Sequence, residues 1–259
     1  MKVVRTIPEL RAELATRRGA STGLVPTMGA LHEGHLSLLR AARAECHTVV
    51  MSLFVNPAQF PSGDDLARYP RDEGRDLALA GEEGVDLVFA PSTDELYPPG
   101  HATWVEVEGL GSILEGVHRP GHFRGVATVC LILFTLVRPD LVYFGQKDAQ
   151  QVAVLRRMIR DLHLELELRV LPIVRDPDGL ALSSRNARLS ADERRRALAL
   201  PHALATKNRA RALELLSQDG VEVDYVEVAP FDPPVLAGAI RVGGTRLIDN
   251  VVLDEEEQR

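Results

Sequence analysis

From residue 22 to about 171 the chain alternates between stretches that suit a strand and stretches that suit a helix. That alternation points to one architecture, a parallel sheet wound on both faces, because parallel strands need a long crossover that is usually a helix. The strand-like stretches are residues 23–26, 48–55, 84–90, 140–145 and 164–170. The last of these reads Leu-Glu-Leu-Glu-Leu-Arg-Val, the strict alternation of a half-exposed strand. Helix-like stretches cover 36–42, 71–80, 122–137 and 149–162, the third ended by Arg138-Pro139. In such sheets ligands bind beyond the carboxyl ends of the strands.

Residues 172–190 change character. Pro172, Asp176-Pro177-Asp178-Gly179 and Ser183-Ser184-Arg185-Asn186 read as a linker that carries function. Helices are expected over 191–217, then short strands at 221–228, 239–242 and 245–248, together a small α+β domain. The expected division is therefore a Rossmann-like domain over 1–173 and a C-terminal domain over 174–259. The acidic run 254–257 is expected to be a solvated tail.

With 259 residues, 45% of them hydrophobic, the chain can bury a substantial core. A net charge of −7 argues against a nucleic-acid footprint, although a cationic pocket for a small anion remains open to it. Cys46 and Cys130 lack metal-ligand spacing and sit in apolar surroundings, as buried thiols do. The N-terminus carries no signal-peptide core, and the apolar run 126–137 is too short to span a bilayer, so a cytoplasmic protein is expected.

The first strand, turn and helix hold the chemistry. Residues 28–35 read Met-Gly-Ala-Leu-His-Glu-Gly-His. Gly29 and Gly34 allow close approach of backbone to a ligand, and His32 and His35, three apart, share one face of the first helical turn. A helix N-terminus already favours anions, and two imidazoles added there suit a polyphosphate. The zinc-protease pattern needs histidines four apart, and neither GxxxxGK[ST] nor GxGxxG occurs. The stretch is similar to the HxGH signature of adenylyl-transferring enzymes.

Four further segments have the same flavour. Asn56 and Gln59 follow the second strand, and Gly145-Gln146-Lys147-Asp148 follows a later one. Gln150-Gln151 opens the next helix, and Leu182-Ser183-Ser184-Arg185 supplies two hydroxyls and a guanidinium, good phosphate donors. With Val25 to His35, Phe54 to Phe60, Tyr69-Pro70-Arg71, Arg119 to Gly125, Phe144 to Asp148 and Gly179 to Asn186, the chain resembles the pantoate–β-alanine ligase family over nearly its whole length.

The resemblance implies an HxGH-type Rossmann-like fold with a C-terminal lid, and an ATP-dependent joining of pantoate to β-alanine through pantoyl adenylate. ATP would contact Met28, Gly29, Ala30, Leu31, His32, Glu33, Gly34 and His35. Further contacts would come from Gly145, Gln146, Lys147, Asp148, Val174, Leu182, Ser183, Ser184 and Arg185. His32, His35, Lys147 and Arg185 would serve the chemistry, Gln59 and Gln151 would hold pantoate, and Gln59 would also border β-alanine. The resemblance further implies Mg²⁺ travelling with ATP, no metal held by the protein alone, and a homodimer. Neither a nucleic-acid nor a membrane partner is expected.

Two replacements depart from the family pattern: Gln146 where Glu is common, and Leu182 where Met is. The stretch between Arg196 and Gly220 is also short for the family. Two other readings stay open on the residues alone. A nucleotidyltransferase with a phosphorylated acceptor would want extra cations beside the HxGH site. A nucleotide-binding protein without turnover would bind ATP and stop there.

Overall fold

The structure, a computed structural model, describes residues 1–60 and 66–254. It divides into two compact units: Met1–Phe144 with Gln150–Leu171, and Gly145–Ala149 with Pro172–Arg259.

The first unit runs β1 (Lys2–Val4), α1 (Ile7–Ala15), β2 (Thr22–Thr27), α2 (Glu33–Glu45), β3 (Thr48–Leu53), α3 (Glu73–Glu82) and β4 (Leu87–Phe89). It continues with α4 (Thr93–Leu96), α5 (Glu115–His118), α6 (His122–Val137), β5 (Leu141–Gly145), α7 (Ala149–Asp161) and β6 (Glu167–Leu171). The sheet order is β1-β4-β3-β2-β5-β6, and the pairs β1–β4, β4–β3, β3–β2 and β2–β5 are parallel. Double winding follows from the pleat, which sends successive side chains to opposite faces. Leu24, Val50, Leu87, Phe89, Val142 and Phe144 pack with α1, α6 and α7. Their neighbours Val25, Val49, Met51, Val88 and Tyr143 pack with α2 and α3. β2 has β3 on one side and β5 on the other, so the loop leaving β2 emerges where the strand order reverses.

β1 and α1 lie outside the sequence expectation. Thr6 caps α1 in a reciprocal box with Glu9, and β1 adds an edge strand against β4. At the other edge β6 begins at Glu167 rather than 164. His163 closes α7 in a left-handed conformation (φ 51°), with Leu164 N–H bonded to Ile159 O at 3.0 Å. This closure consumes three residues before the strand can start. The alternation there still sends Leu164, Leu166, Leu168 and Val170 against the core. Cys46 and Cys130 are buried free thiols, and burial pushes the Cys130 thiol up to about 12. Among the described residues no helix is long and apolar enough to cross a membrane.

The second unit holds α8 (Ala191–Ala197), α9 (Ala199–Leu204), α10 (Arg209–Gln218) and an antiparallel sheet β7-β8-β9 (Glu222–Ala229, Val235–Val242, Thr245–Val252). β8 starts at Val235, four residues before its expected beginning. Gly238 sits inside it because a Cβ there would lie 2.9 Å from Leu200 Cδ1 and 3.3 Å from Leu204 Cδ2, so α9 packs directly on the strand. The stretch read as a linker is folded. Arg175 bridges Ala181, Leu182 N–H bonds Val174 O at 3.0 Å, and a 3₁₀ turn covers Ser184–Arg188. Residues 145–149, expected in the first domain, group with this unit. Of the acidic tail, 255–257 lie outside the described residues; Asp254 is exposed and pairs with Lys207.

Candidate active site

The loop leaving β2 is shaped by close approach. Gly29 has φ 80°, and a Cβ there would fall 2.7 Å from Asp76 Oδ2 and 2.9 Å from Leu53 Cδ1. Ala30 is also left-handed (φ 52°), a conformation an alanine holds only when its surroundings impose it. Asp76 of α3 imposes it. Its carboxylate, 1% exposed, accepts Ala30 N–H at one oxygen and Leu31 N–H at the other, both at 2.8 Å. Arg75 donates to Leu31 O at 2.9 Å.

The two histidines then start α2. His32 is the N-cap and its Nδ1 accepts Gly34 N–H at 3.2 Å, while His35 Nδ1 accepts His32 N–H at 3.3 Å. This is a reciprocal capping box built from two imidazoles, with ring centroids 4.2 Å apart. An Nδ1 that accepts leaves the proton of the neutral ring on Nε2, so each ring is an Nε2–H donor. Glu33 instead faces the helix surface, where Arg40 bonds it and holds its carboxyl below the usual range.

Gln59 is also in this unit. It ends a 3₁₀ turn over Pro57–Gln59, and its amide donates to Met28 Sδ at 3.1 Å and accepts from Asn56 Nδ2 at 3.0 Å. Asn56, 1% exposed, accepts from Tyr97 O–H at 2.9 Å and donates to Gly125 O at 3.1 Å. His122 Nδ1 lies 2.8 Å from Gln59 O. Gly125 lets α6 lie against the turn, since a Cβ would fall 2.2 Å from Ala58 O. The expected amide thus sits in a buried polar network that fixes its direction. Gln151 is half-buried at the start of α7, whereas its neighbour Gln150 is spent on structure, bonded to Glu115 N, Leu110 O and Ile113 O.

The remaining expected residues belong to the second unit. Gln146, Lys147 and Asp148 form a 3₁₀ turn after Gly145, with Lys147 Nζ 3.5 Å from Asp148 Oδ1. Val174 and Leu182 face each other across the hairpin, and Ser183 caps the next turn by accepting Arg185 N–H at 3.3 Å. Arg194 bonds Asp176 at 2.6 Å and Asp178 at 2.7 Å, and its hydrogen bond holds the Asp178 carboxyl below the usual range. Arg175 grips Asp249 through two bonds of 2.6 and 3.0 Å. Chemically, the first unit offers imidazole N–H donors at a helix start, and the second an ammonium, two hydroxyls and a guanidinium. Both sets suit phosphate.

The family model described as Pantoate-beta-alanine ligase matches residues 2–252. The chain belongs to that family. It is a ligase, 50% identical to the pantothenate synthetase of Moorella thermoacetica over 98% of this chain and 99% of that one. The figure is 52% for that of Acidobacterium capsulatum, over 97% and 91%. The first of these alignments runs over 280 positions against a chain of 259, so this ligase lacks residues its relative has. Among solved structures, pantothenate synthetase from Thermus thermophilus superposes with a TM-score of 0.91 at 46% identity, covering 97% of this chain and 99% of that one. The pantoate-β-alanine ligase of Francisella tularensis, complexed with β-γ ATP and β-alanine, gives 0.89 at 32%, covering 100% and 98%.

Sequence reasoning missed Asp76, His122 and the pair Asp249–Asn250, while Asn56 was singled out beside Gln59. A signal existed for the first: Asp76 lies one turn before the fully buried Ala80, which puts a carboxylate on the apolar face of α3. Asp249 and Asn250 are adjacent polar residues in a strand, both 3% exposed, and break its apolar pattern.

Proposed function

We propose that this ligase condenses (R)-pantoate with β-alanine to pantothenate in two steps. A carboxylate oxygen of pantoate attacks the α-phosphorus of ATP, the bond to the bridging oxygen breaks, and pyrophosphate leaves. The amine of β-alanine then attacks the acyl carbon, the acyl–phosphate bond breaks, and AMP leaves. Mg²⁺ enters as part of the nucleotide substrate. Among the described residues no group of three or more His, Cys, Asp or Glu could hold a metal ion, and Mg²⁺ commonly rides on substrate phosphates.

The observation that carries the reading is the imidazole capping box, which fixes two Nε2–H donors at the start of α2. Adenylation loads charge onto the α-phosphate and the departing pyrophosphate, and a fixed donor aimed at such charge is worth about 2.7–4 kcal/mol. His32 and His35, with the backbone of 28–34, meet the phosphates in this reading. Lys147, Ser183, Ser184 and Arg185 add cationic and hydroxyl donors, and Gly145, Gln146, Asp148, Val174 and Leu182 complete the nucleotide contacts. Gln59 and Gln151 hold pantoate, and Gln59 borders β-alanine. No side chain is needed as a covalent nucleophile, and holding the carboxylate against the α-phosphorus removes entropic cost. The protein works in the cytoplasm as a homodimer, for which light scattering at micromolar concentration should give twice the chain mass. Pyrophosphate exchange into ATP tests the mechanism. Pantoate alone should support it, and exchange that requires β-alanine would overturn the adenylate order.

A further inference from the structure

Lys147 stands in a short turn without a side-chain cap of its own. What holds that turn comes from β9. Asn250 Nδ2 donates to Gln146 O and to Lys147 O, each at 3.0 Å, and Asn250 Oδ1 accepts from Gln146 Nε2 at 3.1 Å. Both carbonyls flanking the Lys147 Cα are therefore tied to one amide that is itself 3% exposed. The neighbouring residue continues the tie in the other direction. Asp249 accepts Asn250 N–H at 2.8 Å and both guanidinium bonds of Arg175, and Arg175 donates to Gly179 O at 3.1 Å. Two adjacent strand positions thus fasten the Lys147 turn and the hairpin that leads to Ser183-Ser184-Arg185.

The chemistry of position 250 is narrow. Two carbonyls need two donors, and Gln146 needs an acceptor, so a primary amide of this length satisfies all three. A carboxylate would face two carbonyl oxygens with nothing to donate, and an alkyl group would leave both carbonyls unpaired in a buried place. We propose that Asn250 is a positioning residue for Lys147: it sets where the ammonium meets phosphate and touches no substrate itself. The proposal rests on the reading of Lys147 as a phosphate contact.

A double-mutant cycle separates positioning from simple structural support. Pantoate-dependent pyrophosphate exchange is measured for the native protein, Asn250→Ala, Lys147→Ala and the double variant. Asn250→Ala should slow exchange about 10- to 100-fold, in kcat more than in KM for ATP, because the lost interaction belongs to the transition state. In the Lys147→Ala background the same change should cost less than about threefold. Exchange by Asn250→Ala within about threefold of native, or a full loss repeated in the Lys147→Ala background, overturns the proposal. Failure of the underlying reading looks different, since then the native protein shows no exchange or Lys147→Ala matches it. If Asn250→Ala gives no cooperative unfolding transition, Asn250→Ser, uncharged and able to keep one hydrogen bond, is measured the same way. Collapse of both variants would make Asn250 a residue of the fold and overturn the positioning role.

Discussion

The loop 28–35 of the first unit and the hairpin 174–182 of the second are both expected to meet ATP, yet they are secured by different means. The first is tied by a buried carboxylate: Asp76 is 1% exposed and spends both oxygens on Ala30 and Leu31 N–H groups. The hairpin rests partly on ion pairs open to water, with Arg194 and Asp178 each 34% exposed at their side chains. Burial decides what such ties are worth. An exposed pair contributes about 0–1 kcal/mol, whereas removing one partner of a buried charged set leaves groups that neither water nor protein satisfies. One loop is therefore expected to be set before ligand arrives, and the other to gain order with it.

The largest break in this comparison should come from Asp76→Ala. Two backbone N–H groups lose charged acceptors, a cost of about 3–6 kcal/mol at roughly 1.5–3 each. The left-handed Ala30 also loses its restraint. A denaturant midpoint shift of that size, with slower adenylation, is expected. A midpoint near native would show that the loop holds its shape without the carboxylate. Next come His35→Ala and Lys147→Ala, which should each slow adenylation by about 10²–10³. Single-turnover rates of adenylation measure this, and a rate within a few-fold of native removes that residue from the chemistry. His35→Ala also opens the capping box, so its unfolding free energy should fall by about 1 kcal/mol, while Lys147→Ala should leave stability nearly unchanged. Smaller again is Gln59→Ala. Loss of one fixed amide should weaken pantoate binding by about tenfold, read by calorimetry, with ATP affinity kept. Unaltered pantoate affinity would end that assignment.

How much of this was legible in the sequence depends on the range over which each feature is encoded. β2 to β5 and the helices between them are written in local periodicity, and the histidine box in residues three apart, so both could be read. α1 carries a legible Thr6–Glu9 box and apolar residues at 7, 10 and 14, although the expected alternation begins only at residue 22. β8 runs through Gly238, just before its expected beginning at 239, because Leu200 and Leu204 rest where a Cβ would stand. Asp76 and Asn250 were harder. Their partners are backbone groups 45 and 103 residues away, and a backbone amide or carbonyl leaves no mark in the sequence at either end. What remained visible was a polar residue where the pattern wanted an apolar one. The division of the chain was hidden for the same reason, since Asn250 of β9 bonds the backbone of residues 146 and 147, which group with the second unit.

One measurement bears most directly on the comparison, because it changes no residue. Amide hydrogen exchange is followed with and without ATP and pantoate, in the loop 28–35 and in 174–190. Amides bonded to buried, saturated acceptors exchange only through costly openings, so Ala30 and Leu31 N–H should be well protected in both conditions. In the hairpin, Gly179 N–H bonds Asp176 O at 2.8 Å and Leu182 N–H bonds Val174 O at 3.0 Å, and the side chains bracing them are the half-exposed pairs of Arg194 together with Arg175 on the buried Asp249. Openings there should cost less, and ligand that binds only the closed form should suppress them, by about 2.7 kcal/mol at a hundredfold excess over Kd. Protection is thus expected to rise at 174–190 and to change little at 29–31. Equal protection of the hairpin in both states would make it as preformed as the histidine loop. A rise confined to 29–31 would reverse the comparison and leave Asp76 as a tie that only ligand completes.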